Sequence, residues 1–187
     1  MVKQSKKKLI RRCLILDEVS LILDIIQTNW NASRTALNSA GKLGSTPNLP
    51  NLVDVRTLQK NRGVRYDLSA GDVIVVFEDS QNIEYPTIHY DLKNETYSFT
   101  LHLRTIHDER AVGVGSTDPD FGRDRLRDLY LITVHALETS RRGYTASDGT
   151  RFNQLFVGSR TESNDRSKRL FGYKVTLEAK RFAISIP

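Results

Sequence analysis

Between Tyr97 and Arg104 the chain alternates without a break, with Tyr97, Phe99, Leu101 and Leu103 on one side and Ser98, Thr100, His102 and Arg104 on the other. A two-residue period fits one half-buried conformation, a pleated strand with one face in a core and the other in water. Large apolar groups at each inward position require a second layer to cover them. Upstream, Ile88, Tyr90 and Leu92 alternate with Thr87, His89 and Asp91, and Lys93-Asn94-Glu95-Thr96 between the runs has the polarity and length of a hairpin turn. The expected register sets Leu92 opposite Tyr97, Tyr90 opposite Phe99 and Ile88 opposite Leu101, so the large apolar groups share one face.

The rest of the chain supplies the covering layer. Leu16 to Asn31 repeats apolar residues at Val19, Ile22, Leu23, Ile26 and Trp30, a helical stripe, with Asp17 and Glu18 in the first turn. Asn38 to Asn51 is rich in Gly, Pro, Ser and Asn without a period and reads as a long surface loop. Strands are expected at Val53 to Leu58 and at Asp72 to Phe77, the second continuous, β-branched and therefore central. Asp118-Pro119 opens a second helix with a capping side chain and a fixed φ. It buries Leu126, Leu129, Tyr130, Thr133, Ala136 and Leu137 and ends on Arg141-Arg142-Gly143. Phe152, Leu155, Phe156 and Val157 mark one closing strand. In the other, Tyr173, Val175, Leu177 and Ala179 alternate with Lys174, Thr176, Glu178 and Lys180, and a polar tip from Ser159 to Arg169 joins the two. This order predicts the α+β class, a mainly antiparallel sheet with two helices packed on one face, in a single domain over residues 1–187 with a basic leader at 1–15.

That architecture leaves the second sheet face to His89, Asp91, Thr100, His102, Arg104, Lys174 and Glu178, polar enough for water or for a wet protein interface. With the apolar tail residues Phe182, Ile184 and Ile186, the residues His89, Asp91, His102, Lys174 and Glu178 are the candidate subunit contacts. Three of the four histidines, His89, His102 and His107, crowd into residues 86–111, but a metal needs three or more ligands about 2 Å from one point and no second cluster completes the set. Asp91-Leu92-Lys93 matches the short Asp-x-Lys element of some metal-dependent nucleases, with Asp72 or Asp79 as the further acid. The match falls at the expected turn, and the plainer reading is the polar side of an amphipathic hairpin. No phosphate-binding glycine motif or nucleophile elbow occurs, and Ala111 to Ser116 lacks a lysine. No catalytic residue, cofactor or metal is therefore expected.

Charge and cysteine content bound the partners. A net charge of +6 admits a polyanion, with basic clusters at Lys3 to Arg12, Arg123 to Arg127, Arg141-Arg142 and Arg166 to Arg169. None forms a recognition motif, so any DNA contact is expected to be non-specific and with the backbone, through Lys3, Lys6, Lys7, Lys8 and Arg104. No apolar run approaches the roughly 20 residues that cross a bilayer, so no membrane partner is expected. Cys13 is the only cysteine, which fits folding in a reducing cytoplasm.

The stretches "YSFTLHLRTIHDE", "RDRLRDLYLITVHALE" and "RLFGYKVTLEAKRF", spanning Tyr85 to Phe182, give an order and texture that resembles the tail-completion or tail-terminator proteins of long-tailed bacterial and archaeal viruses. The basic leader and the loop at Asn38 to Asn51 depart from that pattern and leave open a head-completion or connector protein. The resemblance implies a non-enzymatic virion protein, assembled in the host cytoplasm, that forms a ring, usually a hexamer, at the head–tail junction. Such a ring ends the tail tube, contacts the tail tube protein and the neck or connector protein, and surrounds the passing genome. The rival classes are a metal-dependent nuclease using Asp91 and Lys93 and a small basic nucleic-acid-binding module.

Overall fold

The computed structural model describes residues 17–44, 58–60, 72–86, 92–106, 121–146, 149–164 and 170–184. Helix α1 (Glu18–Ser39) starts where Asp17 accepts a 2.7 Å bond from the Ser20 backbone N–H, satisfying a donor that the first turn leaves open. Leu21, Ile22, Ile25, Ile26, Trp30, Ser33 and Leu37 form its buried stripe. The apolar period therefore continues two turns past Asn31, and the expected loop gives up Asn38 and Ser39 to the helix; residues 45–51 lie outside the described residues.

Helix α2 (Phe121–Glu138) buries Leu126, Leu129, Ile132, Ala136 and Leu137. Its expected start at Asp118-Pro119 lies outside the described residues. The helix ends before Arg141-Arg142, which sit in the following turn. Gly143 leaves that turn with φ +125°, and a Cβ there would come within 3.3 Å of the Phe152 and Asn153 carbonyl oxygens. The turn therefore needs glycine twice over. Asn29 of α1 ties the helices together, donating to the Ala136 carbonyl and to Ser140 Oγ at 3.3 and 3.1 Å.

The sheet contains β1 (Leu58–Lys60), β2 (Val73–Glu84), β3 (Leu92–Ile106), β6 (Gln154–Glu162) and β7 (Leu170–Ile184), in the spatial order β1-β2-β3-β7-β6. β1 runs parallel to β2 and every other pairing is antiparallel. The short β4 (Tyr144–Thr145) and β5 (Arg151–Phe152) form a separate ladder, so Phe152 belongs to a different strand from Leu155. Ile74, Val76, Tyr97, Phe99, Leu101, Leu103, Tyr173, Val175, Leu177 and Ala179 pack with the buried faces of α1 and α2 in one cluster. The chain is an α+β fold with both helices on one face of a mainly antiparallel sheet.

The predicted hairpin does not form. Lys93 to Thr96 is not a turn but the start of β3, bonded on both sides: Glu95 lies opposite Ile83 in β2 and opposite Arg181 in β7. Tyr97 faces Gln81, Phe99 faces Glu78, and Leu92 faces Ile184. β2, reaching Glu84 where the pattern stopped at Phe77, is the true hairpin partner; Ile88 and Tyr90 lie outside the described residues. The physical reason is Glu95. It points inward with Tyr97 and is 4% exposed, and an inward carboxylate is tolerable only when paired. Arg181 Nε, Lys93 Nζ and the Tyr97 hydroxyl all reach it, and Arg181 goes on to Glu18 at 3.0 Å.

Candidate functional site

The sheet outgrows its cover. Residues 78–84 of β2 are all exposed, and at the same end Ile83, Tyr85, Leu92 and Phe182 stand 39 to 49% in water. Strands of 12 and 15 residues span about 40 to 50 Å at 3.3 Å per residue, against about 33 Å for the longer helix at 1.5 Å per residue. This bare end of β2, β3 and β7 is the largest exposed apolar feature among the described residues.

The face turned away from the helices carries the expected polar set. His102 lies opposite Lys174, Thr100 opposite Thr176, Ser98 opposite Glu178, and Arg104 opposite Gly172. His102 packs against Phe77, with ring centroids 4.5 Å apart. Burial, with the neighbouring charges of Arg104 and Lys174, pushes the imidazole down to about 4 against a weaker pull from Asp79; the ring is neutral at pH 7.

Two irregularities shape this face. β2 bulges between Glu78 and Ser80, and β6 between Val157 and Arg160. Glu78 faces Phe99, Phe99 faces Leu177 and Leu177 faces Val157, so the two bulges flank the β3–β7 pair at one level. Bulges bend a strand and re-aim its side chains. Here they border a trough of about 370 Å³ lined by Asp79, Ser98, Phe99, Phe156, Gly158, Thr176, Leu177 and Glu178. Asp79 accepts from Thr100 Oγ1 at 2.6 Å, and Thr176 Oγ1 accepts from the Ser159 backbone N–H at 2.8 Å. Gly158 permits this, because a Cβ there would lie 2.4 Å from Thr176 Oγ1. An isolated glycine inside a strand pattern was the sequence signal for that bulge.

Among the other predicted site residues, Arg104 is in β3 and Phe182 is exposed near the end of β7. Ile184 closes β7, while Lys3, Lys6, Lys7, Lys8, His89, Asp91 and Ile186 lie outside the described residues. The carboxylates proposed beside Lys93 have other partners: Asp72 binds Arg125 at 2.7 Å and Asp79 binds Thr100. Lys93 itself is turned to Glu95. Among the described residues, no group of three His, Cys, Asp or Glu side chains is placed to hold a metal ion, and no helix is long and apolar enough to cross a membrane.

Charge is unevenly spread across the sheet. The outer part of β2 contributes Glu78, Asp79 and Glu84 and no cation. Burial and the nearby carboxylates of Glu18 and Asp17 raise the Glu78 pKa, the mark of negative charge in excess. Beside β6, by contrast, stand Arg141, Arg142 and Arg160. Arg160 lies 4.6 Å from the ring centroids of both Tyr130 and Tyr173, a geometry suited to cation–π attraction. Comparison with known protein families and with curated proteins finds no match to this chain.

Proposed function

We propose that the chain is a structural subunit of a closed ring at the head–tail junction of a long-tailed virus, where the ring ends the tail tube and joins it to the neck. The observation that carries this reading is the sheet end that projects past the helices with Ile83, Tyr85, Leu92 and Phe182 exposed. A monomer gains nothing by presenting such a patch to water, whereas a subunit buries it against a neighbour. The polar far face, with Arg104 and Lys174 around a neutral His102, suits a wet contact or a water-filled lumen. In that setting Lys3, Lys6, Lys7, Lys8 and Arg104 meet the passing DNA through its phosphates, weakly and in a salt-sensitive manner. The partners are further copies of the chain, the tail tube protein and a neck or connector protein.

Native mass spectrometry and negative-stain microscopy of the purified chain test this reading. The expected result is a closed ring of one stoichiometry. A species that stays monomeric at high concentration overturns it.

A further inference from the structure

We propose that neighbouring copies join by strand addition, with the outer edge of β2 from Phe77 to Glu84 in one copy running antiparallel to the outer edge of β6 from Val157 to Glu162 in the next. The inference deepens the ring reading and rests on it, since it names the contact by which the ring would close.

Both edges lack a described partner. β1 pairs only with Ile74 to Val76, although the inner edge of β2 stays bonded to β3 as far as Glu84. β6 is bonded to β7 along its inner edge, and the described contact on its outer side is the Leu155 N–H donating to the Arg141 carbonyl at 3.2 Å. The side chains from Glu78 to Glu84 and from Gly158 to Glu162 are exposed. A row of open backbone donors and acceptors is a template for another strand.

Direction and length agree. With β3 antiparallel to β2, β7 to β3 and β6 to β7, β6 runs opposite to β2, so a second copy in the same orientation presents an antiparallel edge. The open segments are about 20 to 26 Å long at 3.3 Å per residue. They do not lie level: Val157 stands at the height of Glu78, and Glu162 at that of Ile74. Each copy is therefore stepped along the strands by about four to five residues, roughly 15 Å. Steps of one sense incline the strands to the axis of a closed assembly, as closure of a sheet requires.

Charge selects the pairing. The β2 edge brings Glu78, Asp79 and Glu84, and the β6 edge brings Arg141, Arg142 and Arg160 against Glu162. An edge of one sign meeting one of the other attracts, whereas β2 on β2 or β6 on β6 sets like charges together. A symmetric dimer is thus disfavoured, and the contact left is head-to-tail, the kind that generates rings.

The test uses two variants altered at exposed edge positions, E78K/E84K and R141E/R142E, each followed by native mass spectrometry and analytical ultracentrifugation beside the wild type. Each variant alone carries like charges on both edges and is expected to lose assembly. Mixed in equal amounts, the two are expected to regain it, with the copies alternating and an even number in each ring. That restoration also demonstrates that both variants fold. If circular dichroism shows either to be unfolded, the single variants E84Q and R142Q replace them, with a weakened association expected for each. If the wild type forms a ring and the variants assemble as it does, the contact lies elsewhere: the inference falls and the ring reading stands. Variants that stay monomeric when mixed also overturn the inference, and a monomeric wild type overturns both readings.

Discussion

Replacing Arg181 by methionine tests whether the inward glutamate of β3 is held as the structure indicates. Glu95 is 5% exposed at its side chain and Arg181 23%. The guanidinium bonds Glu95 through Nε, reaches Glu18 and the Tyr97 hydroxyl through Nη2, and lies 5.1 Å from the Tyr97 ring centroid. Removing one member of a buried pair costs about 3–5 kcal/mol because the other charge is stranded. Lys93 stays on Glu95, and Arg181 is partly in water, so the expected loss is about 2–3 kcal/mol, including about 0.5–1 kcal/mol from the aromatic contact. Urea unfolding at fixed protein concentration measures this as a lower midpoint with an unchanged slope. The double variant Arg181→Met with Glu95→Gln should lie within about 1 kcal/mol of wild type, since a pair removed whole costs far less than a pair broken. Burial alone would raise the Glu95 pKa, but bonds from Lys93, Tyr97 and Arg181 and the Arg181 charge together hold it below 4.5. The stability from that depression is present above the unfolded glutamate pKa and is lost as the pH falls through the folded one. Acid should therefore narrow the gap between wild type and Arg181→Met. A single variant costing under about 1 kcal/mol, or losses that simply add in the double variant, would refute the reasoning.

Phe99→Ala should lose about 3–5 kcal/mol, because Phe99 is 1% exposed beside Tyr97 and Phe152; a midpoint within 1 kcal/mol of wild type contradicts its placement. His102 should titrate near 4 by NMR. Its neutral folded form favours the native state above the unfolded histidine pKa of about 6.5, and that contribution declines between pH 6.5 and about 4. His102→Gln should flatten the acid limb of stability there, and an unchanged limb counts against it. Gly158→Ala should cost about 1–3 kcal/mol through its clash with Thr176 Oγ1, and adding Thr176→Ala should recover part of it; equal loss in both variants denies the contact.

The core face of the sheet was legible because alternation is a direct print of the pleat: Tyr97 to Leu103 and Tyr173 to Ala179 point inward as their period requires. Both helices were legible from their apolar stripes, while the end of α1 was misplaced because Asn38 and Ser39 have loop-like chemistry but follow Leu37, which is buried. The polar face of β3 and β7 followed from the same period. Neither bulge was placed, since a bulge depends on two strands and a period describes only one; Gly158 alone hinted at it.

The hairpin error carries the deeper lesson. A polar run inside an alternating sequence signals a turn only if no other strand can satisfy the charge that would point inward. For Glu95 that partner is Arg181, 86 residues away, and no local pattern reports it. The same holds for the proposed assembly edges. Glu78, Asp79 and Glu84 look like an ordinary solvated strand end, and Arg141-Arg142 looks like an ordinary helix exit, until the sheet order sets them on opposite flanks of one molecule. Charge that is unremarkable residue by residue becomes directional once topology gives it two ends, and that directionality is what distinguishes a subunit able to close a ring from one that only pairs with itself.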